Sequence, residues 1–244
     1  MATEIPRPAF YALSSGGWRD YVTLLHPPYT AWHLSYVVIG AALAPAFAVS
    51  TLAPVLVAFF LALGVGAHAL DELNGRPLRT GIPAPILALL AAGSIGIAAA
   101  IGIYGAVTRD PWIGAFVAAG VFIVCAYNLE LAGGRFHSDL WFGLAWGGFP
   151  LLTAYFATAG EISAEAVAAT AFAVALSLAQ RMLSTQVRDV RRRVVSLSGE
   201  LRRRDGSAEP ITPATLIERP EGALRAMAAA SCALAVALVM MRLA

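Results

Sequence analysis

Seven mostly apolar stretches, each near the roughly 20 residues a bilayer-crossing helix requires, recur along the chain with short polar segments between them. They run over 31–49, 52–71, 85–105, 111–129, 139–159, 163–186 and 222–243. Only Ser50 and Thr51 separate the first two, which predicts a helical hairpin. Glycine and proline are frequent inside the stretches (Pro45, Pro54, Gly64, Gly66, Gly147, Gly148, Pro150), as membrane helices tolerate where their neighbours pack closely. The pattern predicts an all-α, polytopic transmembrane bundle that forms a single domain over residues 1–244.

Composition agrees. Hydrophobic residues make up 59% of the chain and charged residues 13%, about half the ~25% of a soluble domain; mean hydropathy is +0.70. Every basic side chain other than histidine is arginine. Cys125 and Cys232 sit inside apolar runs and read as small hydrophobes, not as a disulfide. Residues 1–30 form a polar N-terminal segment holding Arg7, Arg19, Asp20 and several prolines, without the apolar core of a cleavable signal.

The arginines set an expected orientation. Arg7, Arg19, Arg76, Arg79, Arg135 and the run from Arg188 to Arg219 all lie on one side of the stretches. The other side carries Arg109, Arg242 and three acids, Asp110, Glu161 and Glu165. The positive-inside rule then puts the N-terminus in the cytoplasm and the C-terminus outside, in a bacterial-type plasma membrane. Residues 195–221, punctuated by Ser, Gly and Pro, read as a cytoplasmic loop with a short helix, either a tether or an ordered lid.

Two polar clusters fall on that cytoplasmic side. In "HALDELNGRPLRTGIP" (68–83), His68, Asp71 and Glu72 follow an i, i+3, i+4 spacing that puts them on one helical face. Carboxylates at a helix C-terminus and near membrane depth are both unfavourable, so a positive partner is expected. It is either internal, from Asn74, Arg76 and Arg79, or a bound cation. In "AQRMLSTQVRDVRRRVVSL" (179–197), Gln186, Asp189 and Arg193 share one face, with Arg181, Thr185, Arg188 and Arg192 near an adjacent one. The bland alternative for the first cluster is a juxtamembrane salt-bridge network that fixes the loop. The second, taken alone, reads as structural, with Asp189 and Arg193 an ordinary i, i+4 pair on a cytoplasmic flank. Together they offer carboxylates for Mg²⁺ and guanidinium forks for phosphate, the chemistry a diphosphate needs.

With these segments in place the chain resembles the UbiA superfamily of intramembrane prenyltransferases. The resemblance covers roughly residues 18–205. It is carried in order by "WRDYVTLLHPPYTAWHLSYVVIGAALAP", "HALDELNGRPLRTGIP", "AYNLELAGGRFHSDLWFGLAWGGFPLLTAYFATAG" and "STQVRDVRRRVVSLSGEL". It implies a bundle with more spans than the seven counted here, enclosing a cavity for a lipid chain, with two aspartate-rich loops that bind magnesium diphosphate. On that likeness Asp71, Asp189 and Tyr127 are the catalytic candidates. Arg76, Arg79, Arg188, Arg192 and Asn128 would hold the substrate. Asp71, Asp189, Glu72, Asn74, Gln186 and His68 are the candidate ligands of Mg²⁺. The family's NxxxDxxxD motif is thinned: Asp71 keeps the middle position, while Ala67 and Gly75 stand at the others. Its DxxxD motif keeps Asp189 but has Arg193 in place of the second acid, and His26 stands where an arginine usually precedes the proline.

The expected function is Mg²⁺-assisted departure of diphosphate from an isoprenoid diphosphate and prenyl transfer to a lipophilic or aromatic acceptor. A membrane terpene cyclase is a variant of the same chemistry. A different class is a non-catalytic isoprenoid- or quinone-binding protein, acting as a homo-oligomer or with partner membrane subunits. Trp18, Trp32, Trp141 and Trp146 read as interface anchors or packing residues. His26, His33 and His137 read as polar interface residues. No nucleotide or zinc motif occurs, and the arginine run flanks a membrane stretch, which argues against a nucleic-acid partner.

Overall fold

The structure, a computed structural model, describes residues 7–244; the first six residues of the N-terminal segment 1–30 lie outside the described residues. A short surface helix, α1 (Trp18–Leu24), precedes seven longer ones. These are α2 (Pro27–Leu43), α3 (Val49–Leu73), α4 (Ala84–Thr108), α5 (Ile113–Asn128), α6 (Asp139–Ala159), α7 (Ala164–Arg193) and α8 (Pro213–Leu243). Each of the seven apolar stretches therefore contains a long helix, but the turn between the first two lies at residues 44–48, and Ser50 and Thr51, expected to form it, belong to the first turn of α3. Five of them, α3, α4, α6, α7 and α8, are long and apolar enough to cross a membrane, while α5 is a shorter apolar helix and α2 has 17 residues. The protein is therefore an integral membrane protein.

Local chemistry explains where the helix ends fall. The α2 helix starts earlier than hydropathy suggests because Pro27 and Pro28 occupy its first two positions, where a missing N–H costs nothing. It stops at Leu43, where the extended Ala44 precedes Pro45. Arg242 near the end of α8 donates to the main-chain carbonyls of Ala42 (2.7 Å) and Ala44 (2.8 Å) at the end of α2, capping α2 and binding the two helices together. At the opposite end α7 continues through the arginine run to Arg193, and α8 begins at Pro213 behind a capping box made by Thr212 and Thr215. The expected loop 195–221 thus divides into an exposed antiparallel hairpin, β1 (Glu200–Arg202) with β2 (Ala208–Pro210), and the first turns of α8. The half-buried Arg191 pairs with the buried Glu221 (Nη2 to Oε2, 3.0 Å) and locks these polar extensions together.

Close backbone approach sets the core. A Cβ on Gly40 would strike the main chain of Leu151, and one on Gly147 the main chain of Ala173. Glycine at these two points lets α2 meet α6 and α6 meet α7, the use small residues have in membrane bundles. Trp32, Tyr36, Leu151 and Leu224 fill the space between α2, α6 and α8 and are fully buried.

Two helices carry π-helical segments, Phe60–Ala67 in α3 and Gly143–Gly148 in α6, both glycine-containing. Such segments are rare and occur often at functional sites. The first ends immediately before His68, and the second contains Trp146.

The loop after α3 explains much of the "HALDELNGRPLRTGIP" stretch. Glu72 has no exposed surface. Its carboxylate accepts from Leu78 N (2.9 Å), Thr80 N (2.8 Å) and Thr80 Oγ1 (2.8 Å). Arg76 (φ 53) and Arg79 (φ 56) adopt left-handed backbone in the same loop, a conformation that persists only where surroundings enforce it. Asp20 on α1 adds a further tie by accepting from Gly81 N (2.9 Å).

Candidate functional site

A cavity of about 690 Å³ lies at the end of the bundle where α2 starts and α3, α5 and α7 finish. Adjacent residues 71 and 72 of α3 divide their labour. Glu72 turns into the loop, whereas Asp71 lines the cavity and joins no ion pair among the described residues. From α7 come Arg188 and Arg192. Arg188 donates to Thr185 Oγ1 (3.0 Å) and Arg192 to Pro8 O (3.2 Å). Neither has an acidic partner among the described residues. Arg181 is matched by Asp139 (3.0 Å) and Arg193 by Asp189 (3.7 Å), while Glu130 lies 3.9 Å from His137 Nδ1. Four arginines (Arg181, Arg188, Arg192 and Arg193) against three carboxylates (Asp71, Glu130 and Asp189) line the cavity and leave it with an excess of positive charge.

Orphaned polar atoms add to the demand for an occupant. Tyr127 Oη and Gln180 Oε1 both line the cavity and are buried without a hydrogen-bond partner. Buried polar groups nearly always have partners, and leaving one unmatched costs about 1–3 kcal/mol. The Tyr127 ring is held by stacking on His137 (4.4 Å between centroids) and by contact with Trp146 (4.9 Å).

All four histidines of the chain line this cavity. In each, Nδ1 meets a main-chain carbonyl: His26 that of Leu24 (2.8 Å), His33 that of Trp146 (2.9 Å), His68 that of Gly64 (3.1 Å) and His137 that of Tyr127 (3.1 Å). A carbonyl only accepts, so Nδ1 carries the proton and, in the neutral ring, Nε2 carries the lone pair. The rings of His26 and His68 lie 4.0 Å apart. His26 itself has left-handed backbone (φ 46) at the start of α2. Burial, and then the facing His68, hold its pKa well below the ordinary histidine range, while burial lifts the nearby Tyr11 phenol above the usual tyrosine range.

This state of His26 gives a pH prediction. Its pKa is lower in the fold than in the unfolded chain, where it is about 6.5. The unfolded chain therefore binds more protons below that pH, so stability is full above it and declines as pH falls. His26→Asn, which tolerates the left-handed backbone, flattens the decline in melting temperature between about pH 7 and pH 5. Identical pH profiles for the two proteins would contradict it.

The expected site residues separate into two groups. The cavity brings together His68, Asp71, Tyr127, Asn128, Gln186, Arg188, Asp189 and Arg192. Asp189 and Gln186 are exposed at its rim, Asp189 tied to Arg193 and Gln186 donating to Leu216 O (3.1 Å). Glu72, Asn74, Arg76 and Arg79 do not line it. Arg76 donates to Ile82 O (2.6 Å) and Thr80 O (3.3 Å), Asn74 donates to Asn128 O (3.2 Å), and Arg79 is exposed. Tyr11, His26, Tyr29, His33, His137 and Gln180 are wall residues that motif spacing did not mark. The visible signal for the histidines was position. All of them fall in segments that topology brings to the same half of the bundle.

A second, apolar chamber of about 600 Å³ lies between α3, α4, α5 and α6, and Trp146 lines both spaces. Among the described residues no three His, Cys, Asp or Glu side chains form a group able to hold a metal ion by themselves. No family model, curated protein or solved structure matches the chain.

Proposed function

We propose that this protein uses an isoprenoid diphosphate at a cytoplasm-facing intramembrane site, in the manner of the UbiA-like prenyltransferases its motifs resemble. The observation that carries the reading is the unpaired Arg188 and Arg192 opposite the unpaired Asp71, in a cavity that also holds the orphaned Tyr127 hydroxyl. Guanidinium forks match phosphate oxygens, and a buried phenol donates where no other acceptor is available. Phe142 and Trp146 form an apolar wall against which the donor's first isoprene units would rest.

The chemistry is loss of diphosphate from the allylic carbon. The C–O bond breaks, its electron pair leaves with the diphosphate, and the allylic cation is captured by an acceptor that then gives up a proton. Arg188, Arg192 and Tyr127 stabilise the charge that grows on the leaving oxygens, the kind of contribution that dominates many catalysed reactions. Magnesium usually keeps several waters and binds through one or two carboxylates plus substrate phosphates. A single free acid therefore fits it, and Asp71 is the protein ligand in this reading. When bound, the ion neutralises charge on the leaving diphosphate. Glu72 is engaged by the loop, Asn74 by the Asn128 carbonyl at the end of α5 and Asp189 by Arg193, so they fit that role less well.

The presence of only one unengaged carboxylate also favours a second reading, in which the same cavity binds an isoprenoid or quinone lipid without turnover, alone or with partner membrane subunits. Release of diphosphate from allylic diphosphates of several chain lengths, with water as the default acceptor, separates the two. Turnover in the unaltered protein that Asp71→Asn reduces by at least about a hundredfold, with expression intact, is expected. Equal turnover in both proteins removes Asp71 from the chemistry, and binding without turnover in either selects the second reading.

A further inference from the structure

The apolar chamber on the other side of Trp146 has its own polar mouth. Ser50 and Thr51 in the first turn of α3 and Thr108 and Arg109 at the end of α4 line it there, and the remaining wall is almost wholly aliphatic and aromatic. Arg109 is the one charged side chain in that wall and joins no ion pair among the described residues. Its Nη1 donates to the buried Thr51 Oγ1 (2.6 Å), which aims the guanidinium and leaves its other donors free. The adjacent Asp110 caps the following turn by accepting from Trp112 N (2.8 Å). Farther in, Thr153 Oγ1 lines the chamber, buried and without a partner. At about 600 Å³ the space lies within the ~300–1,000 Å³ range of small-molecule sites.

We infer that this chamber binds a single-chain amphiphile with a monoanionic head, a long-chain carboxylate, whose head pairs with Arg109 and whose tail runs toward Trp146. One unmatched guanidinium calls for one negative charge, and its planar fork matches a carboxylate edge to edge. The wall beyond the mouth offers a long alkyl chain mainly aliphatic and aromatic carbon, with Thr153, Tyr104 and Trp146 the polar-tipped side chains in it. Its mouth at Arg109 lies at the opposite end of the bundle from the arginine-lined cavity, with which the chamber shares only Trp146, and the inference does not depend on the function proposed for that cavity.

The test uses the full chain in nanodiscs of zwitterionic lipid, titrated with stearate brominated at mid-chain while tryptophan fluorescence is followed. Saturable quenching is expected, with Trp146→Phe removing most of it. Arg109→Gln weakens the apparent affinity by about tenfold or more, as loss of a charge-assisted pair does, while Arg109→Lys retains most of it. As a check that does not depend on Arg109, Ala98→Phe, which fills the chamber wall, also reduces quenching. Equal quenching by the brominated alcohol, or an unchanged affinity in Arg109→Gln, overturns the proposal. Saturable, Arg109-dependent quenching by brominated phosphatidylglycerol at the same level also overturns it, because the site would then be a bilayer-lipid contact.

Discussion

Arg188→Gln weakens binding of an isoprenyl diphosphate by about 30- to 100-fold, roughly 2–3 kcal/mol. Arg188 has no acid to fall back on and contributes to the cavity wall beside Arg192. Removing it takes away a charge-assisted fork without freeing a buried carboxylate, so the loss falls on the ligand. Arg188→Lys keeps the charge but not the planar geometry and loses less. Arg79→Gln is the discriminating control. The motif made Arg79 an equal candidate, yet it is exposed and outside the cavity, so its replacement leaves affinity within about twofold, the scale of an exposed charge. Isothermal titration or a competition assay on the purified protein reads all three. Equal effects at positions 188 and 79 would contradict the assignment.

Glu72→Ala has the largest effect expected on stability, about 3–5 kcal/mol. The substitution leaves Leu78 N, Thr80 N and the Thr80 hydroxyl without their acceptor in a loop where both residues are buried. It also releases the left-handed backbone at Arg76 and Arg79, conformations that cost about 1–3 kcal/mol each and need enforcement. The loop should then open, with protease sensitivity rising around residues 74–82 and the melting temperature falling. Glu72→Gln keeps one acceptor oxygen but faces the loop donors with an amide N–H₂, so it falls between the two. An alanine variant with an unchanged melting temperature and intact loop would show that the buried carboxylate is not what shapes this turn.

These two residues also show what a single sequence conveys. Hydropathy located every long helix, and the span expected at 139–159 coincides with α6. It misjudged ends wherever polar chemistry carried a helix onward, as in the arginine run of α7 and the Thr212 capping box of α8. At the site, the i, i+3, i+4 spacing of His68, Asp71 and Glu72 put three groups on one face. The two residues three apart do line one cavity, but Glu72, rotated about 100° from Asp71 on a 3.6-residue helix, serves the loop. Such a division is set by the path of the chain after the helix ends, which spacing does not encode. The histidines were hidden for a related reason. In an all-apolar stretch a lone His33 gives no sign of which face turns inward, and only packing against Trp146 settles it. The π-helical segments that precede His68 and contain Trp146 have no sequence signature beyond their glycines.

The most direct test of the central claim, that the arginine-lined cavity receives an anionic isoprenoid headgroup, is thermal unfolding of the purified protein with a prenyl diphosphate, with and without Mg²⁺. A ligand at a hundred times its Kd stabilises the fold by about 2.7 kcal/mol. The expected result is a rise in melting temperature with the diphosphate, a further rise with Mg²⁺ that Asp71→Asn removes, and no rise with the matching isoprenoid alcohol. No shift with the diphosphate under either condition, or an equal shift with the uncharged alcohol, would contradict it.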